Sequence, residues 1–170
     1  MHATVFKCVS KYQKSDYPSD NSVNNKKTEE STFAVKICRN DNKEVLDAHE
    51  TEYKIISLFE HPNLVKGKSF FKDELRNECH CVMTYVKGKE ILDFISEMDQ
   101  SSYSEKMAQN LCKQLFEGIK YLHSIGVCHR DIKPSNIMCT NDLQVVITDF
   151  NVAKARPRNE VTSVKEVDKE

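Results

Sequence analysis

Two short runs near the start of the chain carry strand chemistry. Thr4-Val5-Phe6-Lys7-Cys8-Val9 and Thr32-Phe33-Ala34-Val35-Lys36-Ile37 are rich in β-branched and aromatic residues, which predicts two strands. Between them, Lys11 to Thr32 is dense in Asn, Ser, Lys and Asp and lacks the apolar spacing of any regular element. It reads as a long surface loop across which the two strands pair antiparallel. The period then lengthens. From Glu44 to Glu60, the residues Val45, His49, Glu52, Ile56 and Phe59 recur at three- and four-residue spacing. That spacing predicts a helix, with capping side chains in Asn40-Asp41-Asn42 and a stop at His61-Pro62-Asn63. Leu64 to Phe71 and Cys79 to Val86 predict two more strands, Lys87-Gly88-Lys89 a break, and Glu90 to Met98 a short helix. Ser104 can cap a second long helix whose stripe is Met107, Ala108, Leu111, Cys112, Leu115, Ile119 and Leu122, ended by Gly126. Ile137-Met138-Cys139 and Val145-Val146-Ile147 predict two short strands, and no sustained period runs from Arg156 to Glu170.

The pattern describes an α+β chain, a strand-rich half with one helix followed by a helical half. Composition narrows what such a chain can do. Its 170 residues are 39% hydrophobic and 30% charged, a globular and slightly polar balance. Lys+Arg (25) nearly cancels Asp+Glu (26), so no bulk field exists to hold nucleic acid or an anionic membrane. No run approaches the ~20 apolar residues that span a bilayer, and Met1 to Tyr12 lacks the layout of a signal peptide. Neither a nucleic-acid partner nor a membrane partner is expected. Seven cysteines form no Cys-x-x-Cys pair, and in Cys79-His80-Cys81 a strand would send His80 to the face opposite the two thiols. The cysteines therefore read as thiols in a reducing compartment, which places the protein in the cytoplasm with the nucleus also open to it.

The chemistry appears late in the chain. His129-Arg130-Asp131-Ile132-Lys133-Pro134-Ser135-Asn136 resembles the catalytic loop of eukaryotic protein kinases, and its Lys-Pro form looks like the serine/threonine branch, closest to calcium/calmodulin-type kinases. Six matching residue types at roughly one in twenty each give a chance match of about 10⁻⁸ per start position. By this resemblance Asp131 would orient the substrate hydroxyl and accept its proton, Lys133 would reach the transferred phosphate, and Asn136 would hold a magnesium ion. Thr148-Asp149-Phe150-Asn151, with Asp149 placed 13 residues after Asn136, resembles the Asp-Phe-Gly motif and makes Asp149 the second magnesium ligand. Phe33-Ala34-Val35-Lys36 resembles the Val-Ala-Ile-Lys strand, so Lys36 would grip the α- and β-phosphates of ATP. Glu52, nine residues before His61, stands where the family places the glutamate that pairs with this lysine. Glu50 is the competitor, but only Glu52 shares the apolar face, where an acid needs a partner. Val82-Met83-Thr84-Tyr85-Val86 resembles the strand entering the hinge. Met83 would then stand behind the adenine, backbone groups of Thr84 and Val86 would meet the purine edge, and Glu90 would touch ribose or a basic substrate residue. Val5, Ala34 and Met138 would sandwich the ring.

The resemblance implies a bilobal protein-kinase-like fold. Residues 1–86 would form an N-lobe of antiparallel sheet plus one helix, interrupted by the insertion at 11–32. Residues 87–154 would supply the hinge, the first C-lobe helices, the catalytic loop and the metal motif, and 155–170 a polar tail. Four departures qualify it. Val5 and Ala3 match the valine and last glycine that end the Gly-rich loop, so its first two glycines would lie upstream of Met1. Asn151 replaces the motif glycine, but Asn is the non-glycine residue best tolerated at positive φ and Asp149 is intact, so the change is expected to be compatible with metal binding. Gly67 stands where the family has a large apolar spine residue beside Ile56, His129 and Phe150. The lost side chain is expected to loosen both the helix and the metal motif. The chain stops 21 residues after Asp149 without an Ala-Pro-Glu motif, which would leave Leu111, Leu115 and Ile119 partly exposed for lack of later helices.

Two readings follow. The chain is an ATP- and magnesium-dependent serine/threonine kinase domain, read as truncated, acting on protein hydroxyls. Alternatively, it is a non-catalytic kinase remnant that binds nucleotide or a regulatory protein partner.

Overall fold

The computed structural model describes residues 3–10, 31–98 and 104–156. Most of the expected loop at 11–32 and the tail beyond Arg156 lie outside the described residues. The chain divides into two compact units, Met1–Leu58 with Val65–Val86, and Phe59–Leu64 with Lys87–Glu170.

The first unit is an antiparallel sheet backed by a helix. Strands β1 (Ala3–Ser10), β2 (Ser31–Arg39), β3 (Gly67–Asp73) and β4 (Glu78–Thr84) lie in the order β1-β2-β4-β3. The register pairs Val5 with Lys36, Lys36 with Cys81, Ala34 with Met83, and Cys38 with Cys79. Because side chains alternate along a strand, these residues share one face. Cys38, Cys79 and Cys81 on that face are buried, while His80, on the opposite face, is half-buried. Helix α1 (Lys43–Ile56) starts where the Asn42 side chain accepts a hydrogen bond from the Glu44 N–H. It ends at Ile56, before the expected Glu60, because Ser57 caps it and the chain turns well ahead of Pro62. Tyr53 stacks on Phe70 of β3 with ring centroids 5.5 Å apart.

Gly67 does not leave the hole that the sequence implies. A Cβ built there would lie 2.9 Å from Ile56 Cγ1 and 3.1 Å from both Ser57 N and Tyr53 Cδ2. The end of α1 packs directly onto the glycine backbone. The expected loosening of the helix is therefore not found, because the helix occupies the volume that a side chain would fill.

The second unit is built on helices α2 (Ile91–Ser96) and α3 (Glu105–Ser124). Against them lies a small antiparallel sheet of β5 (Gly88–Glu90), β7 (Ile137–Thr140) and β8 (Val145–Ile147), in the order β5-β7-β8. Strands β6 (Val127–Cys128) and β9 (Lys154–Ala155) pair separately. Lys87-Gly88-Lys89, expected as a break, contributes most of β5 because β7 offers it a partner, Gly88 opposite Thr140 and Glu90 opposite Met138. Helix α3 is capped by Ser104, whose hydroxyl accepts from the Met107 N–H, and Gly126 beyond its end has φ +75°. Met107 and Leu111 join Ile137, Cys139 and Val145 in a core cluster. Leu111 is thus buried, contrary to the expectation that it lacks cover, because the β7–β8 hairpin supplies that cover. Leu115 and Ile119 are half-buried, while Cys112 faces solvent despite its place in the stripe, and Phe116 is exposed too. Asn63 fastens the core from within: its Nδ2 donates to Val145 O and Gln114 Oε1, and Ile147 N–H donates to Asn63 O.

The close fit at Gly67 gives a direct test. Gly67→Leu, which would restore the large residue of the resemblance, should destabilise the protein by about 1–3 kcal/mol through overpacking. Urea unfolding measures it, and a more stable Leu variant would contradict the packing seen at Ile56.

Candidate functional site

Lys36 and Glu52 form the polar centre of the first unit. Lys36 lies mid-strand on β2, and Glu52 on the sheet-facing side of α1, with side chains 11% and 4% exposed. Lys36 Nζ donates to both Glu52 oxygens at 2.9 Å. Glu50 is occupied elsewhere, paired at the surface with Lys54 and Lys72, so Glu52 is the partner that geometry selects. Burial pushes the Glu52 carboxyl up, yet its net shift is downward, because the His49 hydrogen bond and the Lys36 charge and hydrogen bond outweigh burial. His49 was visible in the sequence only as a member of the helical stripe. Its position three residues before Glu52 was the available signal.

Around this pair, Val5 is exposed, while Ala34 and Met83 are half-buried on the same sheet face. The Thr84 N–H donates to Lys66 O at 2.9 Å, and its hydroxyl accepts from the Lys66 N–H. Any purine contact by the Thr84 backbone must therefore come from its carbonyl. Val86, at the end of the unit, is half-buried.

The second unit holds the loop from His129 to Asn136. Lys133 Nζ lies 2.8 Å from Asp131 Oδ2, and Asn136 Nδ2 donates to that same oxygen at 3.0 Å and to Asp131 O at 2.9 Å. Three residues expected to act together are thus joined by hydrogen bonds. The Lys133 hydrogen bond holds the Asp131 carboxyl below its usual range against the opposing effect of desolvation, and Lys133 is raised in turn by Asp131. His129, 4% exposed, braces the loop: Nε2–H donates to Thr148 O at 3.0 Å, and Nδ1 accepts from the Asp131 N–H at 3.2 Å. A single tautomer makes both bonds. Its ring lies 4.5 Å from Phe150, which also packs edge-on against Phe59 at 4.8 Å. Phe150 is 1% exposed.

Thr148 ties the metal motif to the loop, its N–H and hydroxyl both donating to Asn136 O. The left-handed backbone lies at Asp149 (φ +57°) and Arg130 (φ +69°), not at Asn151. The bend that turns the motif falls two residues earlier, where the Thr148 bonds and the buried Phe150 over-determine the chain. Arg130 Nε donates to Val152 O across this turn. Glu90 is exposed on β5 beside half-buried Met138.

Magnesium prefers hard oxygen ligands and retains waters, so two protein ligands suffice alongside phosphate. With Nδ2 of Asn136 committed to Asp131, its Oδ1 is the atom left for a cation. Together with the Asp149 carboxylate this donor set fits magnesium. Among the described residues no cluster of three His, Cys, Asp or Glu could hold a metal alone. Burial raises the Cys79 thiol to about 11 and Cys81 to about 12, which makes them poor ligands and nucleophiles.

The family model for the protein kinase domain matches residues 21–168. The chain is 38% identical over 112 residues to the serine/threonine-protein kinase cds1 of Schizosaccharomyces pombe, covering 66% of this chain and 24% of that protein. It is 34% identical over 111 residues to the calcium/calmodulin-dependent protein kinase type 1 of Macrobrachium nipponense, covering 64% of this chain and 31% of that one. To the CaM kinase-like vesicle-associated protein of Danio rerio it is 30% identical over 173 residues, 88% of this chain and 39% of that one. The matches span from a quarter to two fifths of the length of these relatives.

The buried Glu52 makes acid stability predictable. Its folded-state pKa lies below the ordinary 4.5, so its contribution is full above that value and disappears as pH falls through the lowered one. Denaturant unfolding across this range should show a steep acid loss in the wild type. Glu52→Gln should be less stable at neutral pH, with a flatter acid limb. Parallel acid limbs would place the charge of Glu52 outside the folding balance.

Proposed function

The chain belongs to the protein kinase domain family, and we propose that it transfers the γ-phosphoryl group of magnesium-bound ATP to a serine or threonine hydroxyl of a protein. The observation that carries this reading is the loop in which Asp131, Lys133 and Asn136 share hydrogen bonds, tied through Thr148 to Asp149. Phosphoryl transfer asks a protein chiefly for positioning and charge neutralisation. Asp131 is suited to the first. Its lowered pKa keeps it ionised, a weak base but a steady acceptor that orients the hydroxyl and takes its proton late. Lys133 would meet the transferred phosphate, and Lys36, aimed by Glu52, the α- and β-phosphates. Asn136 Oδ1 and Asp149 would hold magnesium, whose charge offsets that of the phosphate oxygens. Val5, Ala34, Met83 and Met138 would contact the adenine, with the Thr84 carbonyl and Val86 at its edge. Glu90, exposed, is placed to meet ribose or a basic residue of the substrate. The cysteine-rich, unpaired composition suits a cytoplasmic setting.

A second reading is favoured by one feature of β1. Ala3 on β1 stands where the resemblance places the last glycine of the phosphate-covering loop, and its Cβ limits the close backbone approach that glycine permits. A chain of this kind could bind nucleotide, and a regulatory protein partner, while transferring phosphate slowly or not at all.

Transfer of labelled γ-phosphate to a basic protein separates these readings. The kinase reading expects incorporation that falls about 100-fold or more in Asp131→Asn. Thermal stabilisation by magnesium and ATP without any incorporation would favour the binding module. Equal incorporation in the Asn variant would remove Asp131 from the reaction.

A further inference from the structure

His49 is 6% exposed on α1, yet it is not spent on packing alone. Its Nδ1 lies 3.3 Å from Glu52 Oε2, the oxygen that also receives Lys36 Nζ at 2.9 Å. An ionised carboxylate only accepts hydrogen bonds, so Nδ1 carries the hydrogen and donates it. The other ring nitrogen, Nε2, is buried and meets no partner among the described residues. A buried polar atom without a partner is a cost that a leucine of similar bulk would avoid. If space filling were its only role, histidine would be the worse choice at this position. What the imidazole adds is one donor, directed at the oxygen that sets how the Glu52 carboxylate is turned toward Lys36.

We propose that His49 is a positioning residue, which fixes the Glu52 carboxylate so that Lys36 is held in the orientation that grips nucleotide phosphates. The three groups come from two elements. The i, i+3 spacing on α1 puts His49 and Glu52 on one face, and β2 brings Lys36 to them. Without the Nδ1 donor, Glu52 retains Lys36 but can rotate. Lys36 then follows it, because its flexible stem imposes little direction of its own. The cost falls on phosphate contacts and spares contacts to the purine. This inference rests on the reading of Lys36 as a phosphate-binding residue.

The test compares the affinity of the full chain for magnesium-ATP with its affinity for adenosine, by calorimetry, in the wild type, His49→Leu, His49→Asn and Lys36→Met. In His49→Leu, ATP binding should weaken about five- to tenfold while adenosine binding holds. Asparagine places an amide nitrogen where Nδ1 lies, so His49→Asn should recover most of the lost ATP preference. A merely structural role would weaken both ligands in parallel or spare both, and either result overturns the proposal. Lys36→Met reports on the underlying reading: an unchanged ATP preference there, or no nucleotide binding by the wild type, counts against the kinase assignment itself. In that event a thermal-unfolding cycle of His49→Leu and Glu52→Gln still decides the role of His49. Non-additive melting shifts support the coupling, and additive shifts overturn it.

Discussion

An ionised carboxylate taken out of water loses hydration worth several kcal/mol unless a cation and further donors replace it. Glu52 is 4% exposed and meets that demand with the Lys36 ammonium on both oxygens and the His49 ring on one. Much else in the first unit follows from this. Lys36 must sit mid-strand on β2, facing the helix, and its neighbours on that sheet face must be small or apolar. Cys38, Cys79 and Cys81 satisfy this as buried thiols, as the register with β4 requires. Helix α1 must lie close to the sheet, and at Gly67 it comes so near that a Cβ would stand 2.9 Å from Ile56 Cγ1.

The second unit solves a different problem. The loop from His129 to Asn136 has few regular backbone bonds, so its shape needs support from side chains. His129 provides it by linking the Asp131 N–H to Thr148 O, and Asn136 by holding Asp131 with its amide while its carbonyl receives Thr148. Two left-handed residues, Arg130 and Asp149, are tolerated because these bonds fix the chain on either side of them. Phe150, packed between Phe59 and His129, anchors the same turn. Asp131 and Lys133 neutralise one another and stay near the surface.

The motifs were legible because they are defined by residue types at set spacing, which the sequence records directly. Asp131, Lys133, Asn136 and Asp149 were singled out by resemblance to the kinase motifs, and the choice of Glu52 over Glu50 followed from which helix face is apolar. Helices and strands came from period and capping: Asn42 and Ser104 both cap as their side chains suggest. Misreadings arose where a partner distant in sequence decided the outcome. Lys87-Gly88-Lys89 looks like a break until β7 pairs with it. Leu111 looks uncovered until the β7–β8 hairpin lies over it.

Local chemistry along the chain determined the family, the order of its elements and the identity of the charged groups, since each depends on residue type and spacing within a few turns. Three matters were left to the tertiary structure. The end of α1 closes the space at Gly67, which only the path of the helix over β3 could decide. The Thr84 N–H is committed to Lys66 O, a bond to a residue 18 positions away that only the fold could make. His49 becomes a donor to Glu52 when both are buried against Lys36. Each is a question of which group, distant in sequence, occupies the last few ångströms around a polar atom, and hydrophobic periodicity carries no record of that.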